Sequence, residues 1–325
     1  MKRLIFILAL FSQVARAQQD ILLSTYPYPF PVSYLELNSQ HQQLKMAYMD
    51  LRPQTPNGKT VILLHGKNFN GAYWKTTIGA LNREGYRVIA PDQVGFGKSS
   101  KPAGYQFTFQ QLAQNTKSLL DQLNIQKVYL LGHSMGGMIA VRFTLMYPAM
   151  VSKLVLLDPL GLEDWKRVAP YAPIDSGYRK EMKTDFAAAK KYQQENYYHG
   201  NWKPEYDEWA KLQTAWFGDP QYPTVAMDNA LTSDMIFTQP VVYEFNLVKA
   251  PTLLIIGSLD RTAINRDLVK DPALKAQMGQ YPKLARQAQQ QIAGAQLVII
   301  DGVGHLPQIE AFDRFIVPLK KFLRQ

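Results

Sequence analysis

The stretch Val128-Tyr129-Leu130-Leu131-Gly132-His133-Ser134-Met135-Gly136 decides how this chain is read. Its first four residues form a short apolar run of the kind a buried strand requires, and an amphipathic stretch from Met138 to Met146 follows. Between them stands a serine flanked at two residues' distance by glycines. On a sharp strand-to-helix turn such a serine is held in strained backbone geometry with its hydroxyl clear of the sheet. A Cβ at either glycine would collide with the neighbouring strand or helix. The helix that follows aims its positive end and free N–H groups back at the serine, where an oxyanion would form. Ser134 is therefore the candidate nucleophile.

Outward from this turn the same pattern repeats. Val61 to Leu64, Arg87 to Ala90, Val128 to Leu131 and Leu154 to Leu157 are apolar runs separated by helical stretches at Trp74 to Arg83 and Phe109 to Leu123. Short apolar strands alternating with helices predict βαβ units and a parallel sheet covered on both faces. Functional loops of such a sheet lie at the carboxyl ends of its strands. Before it come Val32 to Leu37 and Leu44 to Leu51, the second expected as a half-buried antiparallel edge. Earlier still, Tyr26-Pro27-Tyr28-Pro29-Phe30-Pro31 reads as an extended arm on the surface.

The alternation stops at Asp158 and resumes at Thr252 to Ile256. Residues 159–248 are rich in aromatics and carry helical pieces at Arg179 to Tyr192 and Tyr206 to Ala215, the pattern of an inserted helical cap. A last strand at Leu297 to Ile300 precedes His305 and an amphipathic helix ending near Leu323. The expected division is a core of residues 18–158 and 249–325 around a cap of residues 159–248.

Composition sets the outer bounds. With 325 residues, 46% of them hydrophobic and 19% charged, the chain can bury a large core. Lys2 and Arg3, the apolar run Leu4 to Phe11 and Ala15-Arg16-Ala17 read as a secretory signal peptide over residues 1–17, too short to span a bilayer. Export to the periplasm or the medium is the expected localisation. Cleavage after Ala17 would lower the formal charge from +10 to +7, with 33 basic residues against 26 acidic ones. The basic residues are scattered and no nucleic-acid motif is present, so solvated faces explain them. No cysteine occurs. That excludes a cysteine nucleophile, a thiolate zinc site and lipid attachment at a cysteine.

The order Ser134, Asp260, His305, each just beyond an apolar run, resembles the α/β-hydrolase fold superfamily, in its serine-nucleophile, capped, esterase and haloperoxidase-like branch. His65-Gly66 after the first parallel strand, Asp92-Gln93-Val94-Gly95-Phe96-Gly97-Lys98-Ser99 and Gly302-Val303-Gly304-His305 resemble three further family motifs. The resemblance implies a mostly parallel central sheet with helices on both faces and an inserted helical cap. It implies that His305 serves as general base and then acid, and that Asp260 orients it. Asp158, after the strand preceding the cap, competes for the acid position, and the length of Gly257-Ser258-Leu259-Asp260-Arg261 favours Asp260. Main-chain N–H groups of Met135 and Lys67 would form the oxyanion hole. The Lys67 ammonium is expected in solvent, and Asn68 is available as a side-chain donor. Glu310 is expected to cap or pair, and His65, His133, His41 and His199 to serve structural or surface roles.

Serine at the nucleophile position makes an acyl-enzyme, whereas related dehalogenases and epoxide hydrolases use aspartate there. The expected activity is hydrolysis of a carboxylic ester of a small or medium, apolar substrate, with Trp165, Trp202 and Trp216 as cap residues that would touch it. No cofactor and no metal is implied, and the expected partner is a small molecule. Amide or peptide cleavage and carbon–carbon hydrolysis are the alternatives of the same fold. The first would be favoured by Glu195, Glu205 or Glu208 facing the serine. A non-catalytic binding protein is the alternative of another class, and it would show itself by a missing triad member.

Overall fold

A computed structural model describes residues 20–325. The expected signal peptide, residues 1–17, lies outside them. The first two strands are β1 (Val32–Ser39) and β2 (Gln42–Leu51), joined by a two-residue turn at Gln40 and His41. Both turn residues have positive φ, 51° and 60°, which matches the turn twist to that of the strands. There follow β3 (Thr60–Leu64), α1 (Lys75–Arg83), β4 (Arg87–Pro91), α2 (Phe109–Gln122), β5 (Val128–His133), α3 (Met135–Met146) and β6 (Val151–Leu157). The cap contributes α4 (Ile174–Glu181), α5 (Phe186–Asn196), α6 (Asp207–Gln213) and α7 (Tyr222–Thr238). The core closes with β7 (Thr252–Gly257), α8 (Pro272–Gln277), α9 (Tyr281–Gln291), β8 (Gln296–Ile300), α10 (Pro307–Glu310) and α11 (Phe312–Arg324).

The eight strands form one sheet in the order β1-β2-β4-β3-β5-β6-β7-β8. Pairing is parallel from β4 to β8 and antiparallel for β1 with β2 and β2 with β4. The expectation that β2 is an edge is corrected: β1 is the edge, and β2 lies between it and β4. Successive strand residues alternate between two apolar layers, as strand geometry demands. Ile62, Leu64, Leu130, Leu154 and Leu254 pack under α2, α3 and α9, while Val61, Leu63, Leu131, Val155 and Leu253 pack under α1 and α11. At about 25 cal/mol per Å² of apolar area, these layers dominate the stability of the core.

The cap departs from the expectation in two ways. The helix read from Arg179 to Tyr192 is two helices. The chain leaves α4 at Met182, and the Asp185 carboxylate caps α5 by accepting the Ala188 N–H at 2.8 Å. The 17-residue α7 escaped the sequence reading altogether. Its buried residues, Tyr222, Val225, Ala226, Asp228, Ala230, Thr232, Met235, Ile236 and Phe237, surround its axis, because it packs against α4, the core and the N-terminal segment. A helix buried all round shows no single apolar stripe. The N-terminal arm is also more than a surface strand. Leu23 is buried among Leu212, Trp216, Tyr222, Val225 and Ala226 of the cap, and the Trp216 indole N–H donates to the Ile21 carbonyl at 3.1 Å. Among the described residues no helix is long and apolar enough to cross a membrane.

Candidate active site

All parallel strands end at the same edge of the sheet, so the loops after β3, β4, β5, β6, β7 and β8 gather there. They carry His65 to Lys67, Asp92, Ser134, Asp158, Asp260 and His305. Ser134 follows β5 immediately, with φ 56° and ψ −122°. A non-glycine residue there is strained, and the strain is held by its neighbours. Ser134 N–H donates to the Leu157 carbonyl at 3.1 Å, and its carbonyl accepts from Gly137 at 2.9 Å and Leu160 at 3.1 Å. A Cβ on Gly132 would run into the Gly136 carbonyl, and one on Gly136 would lie 2.7 Å from the His65 carbonyl oxygen. The two glycines thus let β5, α3 and the loop after β3 close on one another.

Met135 is the first residue of α3, so its N–H belongs to the turn whose donors have no partner within the helix. Gly66 approaches the serine so closely that a Cβ on it would be 2.9 Å from Ser134 Cβ. Lys67 is the next residue along this loop. His65 holds this loop from behind. Its Nδ1–H donates to the Gly66 carbonyl at 2.9 Å, and its Nε2 accepts the Gln93 N–H at 2.9 Å. Asp92 accepts Gly71 N–H on Oδ1 at 2.7 Å, and on Oδ2 both Lys98 N–H at 2.7 Å and the Tyr28 hydroxyl at 2.6 Å. The Asp92 turn is therefore the brace of the Gly66 to Gly71 loop, and the N-terminal arm is bolted to it.

His305 is fully buried in the loop after β8, and its Nδ1 lies 2.6 Å from Asp260 Oδ2. Asp260 Oδ1 accepts the Thr262 N–H at 2.8 Å, which fixes the carboxylate plane. A carboxylate partner requires the proton on Nδ1, so Nε2 presents its lone pair. Nε2 is buried with no hydrogen-bond partner among the described residues. Among the rings packed against the imidazole is His133, with centroids 4.9 Å apart. His133 Nε2–H donates to the His305 carbonyl at 2.8 Å, and its Nδ1 accepts from the Tyr73 hydroxyl at 3.0 Å. That hydroxyl in turn accepts Gly66 N–H at 3.1 Å. One chain of hydrogen bonds thus links the loop after β3 to the loop after β8 through the residue preceding Ser134. Burial, then the neighbouring His305, holds His133 well below the usual imidazole range, so it stays a neutral connector.

The structure seats Ser134 and Met135 against the loop that carries Gly66, Lys67 and Asn68, ties the neighbouring His133 to the loop that carries His305 and its partner Asp260, and places Asp158 behind Asp260. One oxygen or ring nitrogen from each of Asp158, Asp260 and His305 lie within 4.8 Å of one another. Glu310 accepts Gly304 N–H at 3.0 Å and Leu306 N–H at 3.4 Å, bracing the histidine loop. The expectation for the Lys67 side chain is corrected. It does not reach solvent but pairs with Glu181 at the end of α4 at 3.4 Å, with side-chain exposures of 11% and 17%. Asn68, at φ 73°, spends its amide on the Tyr197 hydroxyl at 2.9 Å.

The three tryptophans separate. Trp216 and Asn68 line a cavity of about 20 Å³ between cap and core, with Phe69, Phe96, Leu212 and Val225. Trp165 and Trp202 do not line it. Their indole N–H groups are tied to Glu163 at 2.9 Å and Asp207 at 2.9 Å; the Trp165 ring is buried in the main apolar core, and the Trp202 ring packs edge-on against Tyr198 and Tyr206 of its own segment. Glu195, Glu205 and Glu208 are exposed to solvent. His41 and His199 are exposed as well.

Tyr197 was the contact that the sequence concealed. Its ring stacks on His305 at 5.0 Å and 29°, and its carbonyl accepts the His305 N–H at 2.8 Å. The aromatic richness of the cap was the only signal pointing to it.

Comparisons with known proteins agree with this geometry. The structure superposes on a probable hydrolytic enzyme from Pseudomonas aeruginosa PAO1 with a TM-score of 0.92, at 48% identity, covering 94% of this chain and 97% of that one. A haloalkane dehalogenase from Mycolicibacterium paratuberculosis is 30% identical over 159 residues, 45% of this chain and 52% of that protein. A 2-hydroxy-6-oxononadienedioate/2-hydroxy-6-oxononatrienedioate hydrolase from Comamonas testosteroni is 39% identical over 108 residues, 32% of this chain and 38% of that protein. The matches span about half or less of these curated relatives. The family model of the α/β hydrolase fold matches residues 59–312. That match covers most of the chain, and the chain belongs to the α/β hydrolase fold family.

Proposed function

We propose that this protein is a serine hydrolase that cleaves carboxylic esters of small or medium, largely apolar substrates through an acyl-enzyme. The observation that carries the reading is His305. Its Nδ1 is held by Asp260 at 2.6 Å, while Nε2 is buried without a partner among the described residues and its ring lies against His133, the residue before Ser134. Ser134 Oγ attacks the carbonyl carbon, and its proton passes to His305 Nε2. The tetrahedral oxyanion takes hydrogen bonds from Met135 and Lys67 N–H. His305 then protonates the leaving alcohol, the acyl-enzyme forms, and water deprotonated by His305 releases the acid. Such contacts tighten when substrate binds, so an open Nε2 in the free protein suits the mechanism.

Apolar preference rests on the cavity beside Asn68. Phe69, Phe96, Leu212, Trp216 and Val225 give it apolar walls, and the amides of Asn68, Asn70, Gln213 and Asn229 add polar points to them; its 20 Å³ holds about one water, so an acyl group must displace cap side chains such as Trp216. A panel of p-nitrophenyl esters of increasing acyl length, run beside a fluorophosphonate probe and Ser134→Ala, tests the reading. The folded protein should label covalently and Ser134→Ala should not. A folded wild type that neither labels nor turns over any ester sinks it. Similarity to the Comamonas carbon–carbon hydrolase supports a second reading on the same residues. A 2-hydroxy-6-oxo-dienoate in the same panel, cleaved faster than every ester, would make it the better one. Export is part of the proposal too, and N-terminal sequencing of the mature protein should begin at Gln18.

A further inference from the structure

Behind His305 lies a second carboxyl that the proposed chemistry does not use. β6 and β7 are parallel neighbours with Leu157 opposite Ile255, so the loops after them leave the sheet side by side. Each delivers an aspartate with no solvent exposure to one spot, Asp158 and Asp260. Asp260 is fully engaged by Thr262 N–H and His305. Asp158 is not. Its Oδ1 accepts the Gly257 N–H at 2.9 Å, but Oδ2 is buried with no partner among the described residues. Its backbone sits at φ 35°, a conformation that strains any residue but glycine, and is held there by its N–H bond to the Ile255 carbonyl at 2.9 Å.

The groups facing this pair from the packed elements are His305, Glu310 of α10, Tyr281 of α9, and Tyr192 and Tyr197 of the cap. None is a permanent cation. Arg261, adjacent in sequence, turns its guanidinium to the Ser258 and Asp260 carbonyls at 3.3 and 2.6 Å. Two buried carboxylates in contact cannot both ionise without a cation to offset them. A single proton on Asp158 removes one charge and turns an orphaned acceptor into a donor.

We propose that Asp158 is a positioning residue that stands in this site as a neutral carboxylic acid, its Oδ2–H donating a hydrogen bond to the Asp260 carboxylate. Asp260 then accepts from Thr262 N–H, His305 Nδ1–H and Asp158 O–H, and keeps one negative charge directed at His305. The proton stays on Asp158 throughout turnover, so no bond to it is made or broken in the reaction. Burial, reinforced by the Asp260 charge, pushes Asp158 well above the usual carboxylate range, which agrees with this assignment. The catalytic consequence rests on the reading of His305 and Asp260 given above.

The test compares wild type with Asp158→Asn, which keeps a donor of the same shape and cannot titrate, and Asp158→Leu, which removes it. Infrared difference spectra at neutral pH should show the carbonyl band of a buried protonated acid in wild type that is missing from Asp158→Asn. This readout does not depend on activity, so it decides the protonation even if fluorophosphonate labelling fails and the serine reading falls. In ester hydrolysis Asp158→Asn should stay within a few-fold of wild type with the acidic limb of its rate–pH profile unmoved. Asp158→Leu should fall about tenfold or more, the equivalent of one hydrogen bond to a charged group. Its acidic limb should also move to higher pH, since Asp260 without its donor holds the imidazolium harder. A packing defect alone would not move that limb. Absence of the infrared band in wild type, or an acidic limb in Asp158→Asn displaced to lower pH as if an anion had been removed, overturns the proposal.

Discussion

Tyr197 holds His305 twice: its ring lies against the imidazole at 5.0 Å, and its carbonyl accepts the His305 N–H at 2.8 Å. A cap residue thereby positions His305 of the core, the base in the proposed mechanism. Cap and core meet at this point, although the two residues lie 108 positions apart in sequence, 305 − 197.

Two substitutions at Tyr197 separate stacking from hydrogen bonding. Tyr197→Phe keeps the ring and strands the Asn68 amide, which should cost about 1 kcal/mol of stability and little activity. Tyr197→Ala opens a cavity against His305 and should cost about 3–5 kcal/mol of stability. Because His305 loses its support, ester turnover should also fall about tenfold or more. Turnover by folded Tyr197→Ala equal to that of wild type would show that the stack does not position the base.

The Lys67–Glu181 pair joins the loop after β3 to α4, with both side chains largely out of solvent. Removing either partner leaves the other charge half-buried, so the losses of Lys67→Met and Glu181→Gln should sum to more than the loss of the double variant. A double-mutant cycle in urea should return a coupling of about 0.5–3 kcal/mol. Additive losses would mean that the contact carries no interaction energy. The Lys67 N–H is main chain, so labelling of Ser134 should survive both substitutions.

The positions of Ser134, Asp260 and His305 could be read because each follows a short apolar strand whose end is marked by glycines. Local pattern and chain order carry that information. Tyr197 and Glu181 could not be read. Their roles depend on where cap helices land on the core, and no periodicity encodes that. The full length of α7 was hidden for a related reason, since Val225, Ala230 and Phe237 face different neighbours and blur the 3.6-residue stripe. Asp158 was visible only as a competitor of Asp260. That both occupy one buried spot follows from β6 and β7 being adjacent, a fact of sheet order.

The N-terminal segment should behave as a clamp. The Tyr28 hydroxyl donates to Asp92 at 2.6 Å, and Leu23 fills a pocket among Leu212, Trp216 and Val225 of the cap. Tyr28→Phe should cost about 1–3 kcal/mol by leaving the buried carboxylate short of a donor. Leu23→Ala should cost about 2–5 kcal/mol as a core truncation. Urea unfolding measures both. Losses below about 0.5 kcal/mol in each would show that the segment merely lies on the surface.

Glu310 provides a pH dependence of stability whose sign can be worked out. Burial pushes its carboxyl up to about 7, against the opposing pull of the Leu306 and Gly304 N–H bonds. In the unfolded chain a glutamate titrates near about 4.3. Between those values the folded protein holds a proton that the unfolded chain has released, so this group's contribution falls as pH rises through the window. Glu310→Gln keeps an oxygen acceptor for both N–H groups and does not titrate. Its stability relative to wild type should therefore rise from about pH 4.3 to about 7 and then level off. The gain should be on the order of 2 kcal/mol once partial solvent screening is allowed for. Urea midpoints for both proteins at pH 4.5, 6 and 8 decide it. A difference that stays constant across the series would place the Glu310 titration outside this window.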